Sequence, residues 1–388
     1  MLLEVISLRN YLTYEDRMAE KKHLAIACGG TGGHFYPTLA IAREFCNLGN
    51  RVTLLVAGKH APEQLELAEK SGLPAVEMPF ITAPQGIGGL FSLPFKFWNG
   101  WTKAKVILKE VAPDVVLGMG SYASWLTCWT VPKSIPLVLH EGNAFMGRAN
   151  RMLITRARGI GLSLPLRDEG QLKGTPSKCL GMPLRDTLIK AALNPVKDEG
   201  FLPSLGLENG IPTILVFGGS QGARRINELF TEMAGLMDGF AGKVQFMHLT
   251  GTDDNAALTE AYRASGVKAS IRRADSSIEK CYLASDLVIC RGGASSLCEL
   301  ALFEKPAVII PPPTAADDHQ TVNAKLAESV GGAIHLPQAT ATAAGLKEIV
   351  TSLLADSAKF KAMGERLKVL AHPDAAKEMA AFIAELAD

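Results

Sequence analysis

Residues 24–34, LAIACGGTGGH, and residues 214–223, ILVFGGSQGA, carry one signal twice. In each, an apolar run ends at paired glycines, a hydroxyl residue follows (Thr31, Ser220), and a further glycine opens a helical pattern. Glycine lets the chain turn tightly and lets backbone amides approach an anion, and the following helix start adds positive potential. Two such strand-loop-helix openings, about 190 residues apart, form a weak internal repeat, which reads as two Rossmann-like domains.

Working outward, apolar runs predict strands over 24–28, 52–56, 115–119 and 137–140 in the first half, and over 213–217, 244–249, 287–290 and 307–310 in the second. Helical patterns fall between them, over 37–48 and 62–70, with Gly49 placed to cap the first. That alternation specifies α/β units with parallel sheets. Residues 22–184 read as the first domain and 211–372 as the second. A stretch with Pro195, Gly200 and Pro203 makes 185–210 the linker region. Residues 373–388 read as a C-terminal helix on propensity alone, and 1–21 as an extension outside the fold.

A chain of 388 residues exceeds the roughly 250–300 residues at which one core stops growing, so two domains also follow from length. Its formal net charge of +1, without a block of like charge, argues against a nucleic-acid partner. Seven cysteines, with no C-x-x-C pair, speak against a disulfide framework or a zinc site and fit a reducing compartment. No apolar run approaches the roughly 20 residues that span a bilayer.

The first glycine loop departs from G-x-G-x-x-G, because Phe35 stands where the last glycine belongs, and no acidic residue ends the strand over 52–56. A nicotinamide dinucleotide is therefore the poorer ligand. A third glycine turn, Arg291-Gly292-Gly293-Ala294-Ser295-Ser296, also follows a strand. All three turns should line the carboxyl edges of their sheets, where α/β proteins bind ligands.

GGTGGH at 29–34, GMGSY at 118–122, HEGN at 140–143, CRGGASSLCE at 290–299 and DDHQTVNA at 317–324 occur together and in order. On these motifs the chain resembles the MurG family of N-acetylglucosaminyltransferases from about residue 24 to 324. The resemblance implies a GT-B architecture, with two parallel-sheet domains facing an interdomain cleft. It also implies an inverting transfer of N-acetylglucosamine from UDP-N-acetylglucosamine to the C4 hydroxyl of lipid I, the undecaprenyl-pyrophosphoryl-linked muramyl-pentapeptide, at the cytoplasmic face of the inner membrane. Cell-wall synthesis proteins are the protein partners it suggests. Three positions depart from the family pattern: Gly142 for glutamine, Met182 for asparagine and Gly292 for serine.

Carried over residue by residue, the resemblance implies a donor and acceptor site built from Thr31, Gly32, Gly33, Tyr122, Asn143, Arg185, Ser220, Ala294, Ser295, Ser296, Leu297, Glu299, His319, Gln320 and Asn323. Physical chemistry supplies roles for several of them. Glu299 can accept two hydrogen bonds from a ribose diol, Arg185 can neutralise a diphosphate, and Gln320 suits a sugar hydroxyl. His34 is the leading base, since a histidine is substantially neutral at cytoplasmic pH, with Glu141 in a supporting role. Each also has a plainer reading, as a solvated helix face, a helix cap or a packed turn. No cofactor and no metal are expected, because the chain has no D-x-D pair to hold a metal on the diphosphate. Another UDP-sugar transferase of the same architecture, a UDP-sugar binding protein without activity, and a Rossmann oxidoreductase are the competing readings. Finally, Phe91, Phe95 and Trp98 fall on one helical stripe beside Trp101, with Lys96 and Lys103 on another, the pattern of a helix resting at a membrane surface.

Overall fold

The computed structural model describes residues 21–81, 86–196, 198–218, 224–313 and 318–388, with residues 86–93 described by backbone alone. Its first sheet holds seven strands: β1 (His23–Gly29), β2 (Arg51–Ala57), β3 (Ala75–Glu77), β4 (Val115–Gly118), β5 (Leu137–Glu141), β6 (Gly159–Leu162) and β7 (Ser177–Cys179). The second holds six: β8 (Thr213–Phe217), β9 (Gln245–Leu249), β10 (Ala269–Arg272), β11 (Leu287–Cys290), β12 (Ala307–Ile309) and β13 (Ala333–His335). The strand orders are β3-β2-β1-β4-β5-β6-β7 and β10-β9-β8-β11-β12-β13, and every pairing is parallel. Both sheets therefore reverse direction beside their first strand. That switch point opens a crevice at the carboxyl ends of β1 and β4 in one sheet, and of β8 and β11 in the other.

The central strands β1, β4, β5, β8, β9 and β11 are buried along their whole length, as strands covered by helices on both faces must be. The first sheet has Ile26, Leu54 and Leu117 in one core layer and Ala25, Leu55 and Val116 in the other. The repeated opening of the sequence is thus a repeat of architecture. The first helix spans Gly32–Asn47, five residues earlier than the expected start at Pro37. It begins directly in the glycine loop and carries Pro37 inside, which brings His34 into its first turn.

The C-terminal helix Ala375–Leu386 leaves the second sheet and packs on the first, where Met379, Phe382 and Ile383 join the cluster of Ile26, Ile41 and Phe45. Glycines make room for it: a Cβ on Gly161 would sit 2.4 Å from Met379 Sδ, and one on Gly159 2.6 Å from Leu386 Cδ1. The two halves also share a core, since Ala144, Leu164 and Met182 pack in one cluster with Leu215, Val288 and Ala294.

Candidate active site

The site begins at the carboxyl end of β1. Gly29 and Gly30 take φ values of +133° and +87°, and a Cβ on Gly29 would lie 1.9 Å from the Ala57 carbonyl oxygen. No other residue fits there. Thr31 is the N-cap of the helix that follows, and no side chain caps the helix start, which leaves its leading amides able to receive an anion.

His34, half-buried in the first turn of that helix, donates from Nδ1 to the Met119 carbonyl at 3.0 Å. A carbonyl only accepts, so the neutral ring carries its proton on Nδ1 and leaves Nε2 as a proton acceptor. Burial holds the His34 pKa below the ordinary histidine value. The Glu141 carboxylate and the Met119 carbonyl oppose that shift, and His319, from the other side of the cleft, adds to it. The imidazole is consequently neutral at neutral pH.

Glu141, at the end of β5, is buried and accepts four hydrogen bonds. Oε1 takes the Asn143 amide at 3.0 Å and Asn143 Nδ2 at 3.1 Å, while Oε2 takes the Gly147 amide at 2.8 Å and Asn150 Nδ2 at 2.9 Å. Its lone pairs are committed to shaping the 142–147 loop. Neighbouring His140 bonds Ser163 Oγ at 2.9 Å, and burial lowers its pKa to about 3. It is a neutral core histidine.

On the opposite wall, β11 runs into the glycine turn and the helix Ala294–Leu302. This helix too has no side-chain cap, so the amides of Ala294, Ser295 and Ser296 present the second positive helix end. The walls meet here, since a Cβ on Gly33 would lie 3.6 Å from Ser295 Oγ. One turn on, Glu299 accepts the Tyr282 hydroxyl at 2.8 Å on Oε2. Burial raises the Glu299 pKa, opposed by that hydrogen bond and by the Arg185 guanidinium. Arg185 itself lies over the Tyr36 ring at 5.3 Å, so it reaches from the start of the linker to the first helix.

The helix His319–Ser329 closes the cleft. Gln320 Oε1 is buried and takes no hydrogen bond among the described residues. Fully buried Asn323 binds the two halves together: Oδ1 accepts the Ala144 amide at 2.9 Å, and Nδ2 donates to Asn143 Oδ1 at 3.1 Å and to the Gly292 carbonyl at 2.9 Å. Two of the three positions that depart from the family pattern touch each other, and the third stands two residues before Ala294, which lies against Gly142. A Cβ on Gly142 would be 3.2 Å from Met182 Cε and 3.8 Å from Ala294 Cβ, and a Cβ on Gly292 would be 2.3 Å from the Gln320 carbonyl oxygen. A serine at 292 would push that helix start away.

The structure brings Thr31, Gly32, Gly33, His34, Glu141, Asn143, Arg185, Ala294, Ser295, Ser296, Glu299, His319, Gln320 and Asn323 to the two walls of one cleft. Asn143 and Asn323 use side-chain atoms on each other and on backbone, and Leu297 is buried in the core under its helix. Tyr122 opens the helix after β4 beside Ser121, which lies against Gly30, and its ring is exposed and edge-on to Phe80 at 6.1 Å. Ser220 lies outside the described residues. Three participants escape sequence reasoning: the Met119 carbonyl, Asn150 and Tyr282. A carbonyl has no sequence signal, and the other two sit in unremarkable helical stretches.

The chain matches known proteins along nearly its whole length. The glycosyltransferase family 28 N-terminal domain matches residues 24–161, and the family 28 C-terminal domain matches residues 213–379. A relative from Stutzerimonas stutzeri (strain A1501) is 32% identical over 370 residues, 94% of this chain and 99% of its own. One from Geobacter sulfurreducens is 35% identical over 363 residues, 91% and 96% respectively. Both are named UDP-N-acetylglucosamine–N-acetylmuramyl-(pentapeptide) pyrophosphoryl-undecaprenol N-acetylglucosamine transferase. Among solved structures, Acinetobacter baumannii MurG superposes with a TM-score of 0.73 at 25% identity, covering 94% of this chain and 99% of that one. A UDP-GlcNAc 2-epimerase from Neisseria meningitidis, at 12% identity and a TM-score of 0.68 over 94% of this chain and all of its own, shares the fold.

Proposed function

Because this chain belongs to glycosyltransferase family 28 and carries both of its domains, we propose that it transfers N-acetylglucosamine from UDP-N-acetylglucosamine to the C4 hydroxyl of lipid I, yielding lipid II. The observation that carries this reading is the meeting of the two walls. His34 presents a neutral Nε2 one residue from Gly33, and Gly33 abuts Ser295 at an uncapped helix start. A proton acceptor and an anion cradle therefore face one gap.

In the proposed reaction, the acceptor oxygen attacks the anomeric carbon as the bond to the β-phosphate oxygen breaks. His34 Nε2 takes the hydroxyl proton, and UDP departs with the electron pair of the broken bond. The amides of 294–296 and the Arg185 guanidinium meet the developing phosphate charge, each helix end contributing up to about 2 kcal/mol. Gln320 Oε1 accepts a sugar hydroxyl, and Glu299 accepts the ribose diol. Asn143 and Asn323 hold the walls at their working distance. The direct test is UDP release with a lipid I analogue present and absent. Release that requires the analogue supports transfer, and release independent of it overturns the reading.

Glu299→Ala should weaken UDP binding by about 1.5–3 kcal/mol, the range for hydrogen bonds to a charged acceptor. Calorimetry reads this directly, and unchanged affinity would remove the ribose contact from the account.

The same reading places the enzyme on the cytoplasmic face of the membrane that carries its acceptor. Among the described residues no helix is long and apolar enough to cross a bilayer. The helix Gly86–Val111 instead presents Phe95 and Trp98 at 73% and 63% exposure, values that argue against packing on its own sheet. Trp98 lies beside Trp101 at 5.3 Å, and Lys105 Nζ lies over the Trp101 ring at 3.9 Å. Aromatic rings interleaved with lysines suit an anionic headgroup boundary. The Phe91 side chain lies outside the description. Replacing Phe91, Phe95 and Trp98 by serine should cut co-sedimentation with anionic liposomes at least about tenfold, since burying each such side chain is worth roughly 1.5–3 kcal/mol. UDP affinity should stay unchanged. Equal sedimentation of the folded variant would rule the patch out.

A further inference from the structure

The buried tyrosine behind Glu299 has no place in the chemistry above. Tyr282 lies on the helix Ile278–Ala284 with no exposed surface. Its ring is stacked on Phe303 at 5.0 Å and 24°, and meets Phe217 edge-on at 6.2 Å and 81°. Phe303 directly follows the helix that carries Glu299, and Phe217 ends β8 where the second glycine loop begins. The two rings therefore tie Tyr282 to both donor-side elements and leave its hydroxyl one direction to point. In that direction is Glu299 Oε2, at 2.8 Å.

The geometry points to Tyr282 as the positioning residue for donor recognition: its hydroxyl, aimed by Phe217 and Phe303, clamps Glu299 Oε2 so that Oε1 is presented to the ribose diol. The inference rests on the reading of Glu299 as the ribose contact. Glu299 Oε1 takes no hydrogen bond from any described residue, so the clamp leaves one carboxylate oxygen for a ligand. Burial and the nearby carboxylate push the tyrosine pKa well above its usual value, so the hydroxyl keeps its proton and remains a donor. A glutamate side chain has three rotatable bonds. Without the clamp the carboxylate samples orientations that miss the diol, and the ordering cost falls on ligand binding.

The test compares UDP with 2′,3′-dideoxyuridine diphosphate, which lacks both ribose hydroxyls, in calorimetric titrations of the full chain. Tyr282→Phe keeps the ring between its two aromatic neighbours and removes only the oxygen. It should lower the preference for UDP over the dideoxy nucleotide about three- to tenfold, the scale of one ordinary net hydrogen bond. Dideoxy affinity should stay at the wild-type value, which also reports that the variant is folded. In a Glu299→Ala background the same substitution should have no further effect, because no carboxylate remains to orient. Equal loss for both nucleotides would make Tyr282 a packing residue and overturn the proposal, as would an unchanged preference in a variant whose Glu299→Ala counterpart loses it. Should Glu299→Ala itself leave the preference intact, the ribose reading fails first and the clamp with it.

Discussion

Replacing His34 with alanine should lower turnover by about 10²–10⁴ while leaving UDP affinity within about twofold, the pattern of an interaction made only in the transition state. The expectation follows from the hydrogen bond of Nδ1 to the Met119 carbonyl, which fixes the tautomer and leaves Nε2 free to take a proton. It also carries a pH signature. A base works in its neutral form, and burial lowers the His34 pKa, so the acid limb of kcat/KM should fall below the usual histidine value of about 6.5. The rate should already be level at neutral pH. Because His319 contributes to the lowering, His319→Asn should move that limb upward. A turnover loss matched by an equal loss of UDP affinity would reassign His34 to support of the glycine loop.

Glu141→Ala should cost about 3–5 kcal/mol of stability, because it strands four donors in a buried site where each unmet group costs roughly 1–3 kcal/mol before the loop relaxes. Glutamine at this position keeps one acceptor oxygen and turns its amide toward the other two donors, so Glu141→Gln should recover less than half of the loss. Turnover should fall with the 142–147 loop, through Asn143 and its bond to Asn323. Urea unfolding of the three proteins measures the first effect. Full stability with abolished turnover would make Glu141 a chemical participant and would weaken the case for His34.

These two residues show where sequence reading reached and where it stopped. The strands at the centre of each sheet were legible because burial on both faces demands continuous apolar runs. The strands missed lie toward the edges. β7 is exposed Ser-Lys-Cys and β3 is only Ala-Val-Glu, so neither has an apolar pattern to find. β6 reads Gly-Ile-Gly-Leu, a loop by composition, and its glycines make sense only once Met379 and Leu386 arrive from more than 200 residues away. The same long-range contact gives the C-terminal helix its place, which propensity could not.

The glycine loops and His34 were legible because each follows a strand directly, and the strand fixes where the loop must be. The resemblance places Asn323 in the donor and acceptor site. Its hydrogen bonds to Asn143, Ala144 and Gly292 instead join segments about 180 and 30 residues distant, a pairing no local pattern encodes. Likewise, the departures at Gly142 and Met182 look independent in sequence and are in contact in space, where the lost bulk of one side chain leaves room for the thioether of the other.

The most direct test of the account is the linkage of the sugar in the product. Incubating the protein with UDP-N-acetylglucosamine and a soluble lipid I analogue, then assigning the disaccharide by NMR, should show a β-anomeric N-acetylglucosamine on the C4 oxygen of the muramyl residue. One UDP should be released per disaccharide, and the His34→Ala protein should form that disaccharide about 10²–10⁴ times more slowly. An α-linkage, attachment at another hydroxyl, or consumption of the sugar nucleotide without a disaccharide would contradict the single displacement across this cleft.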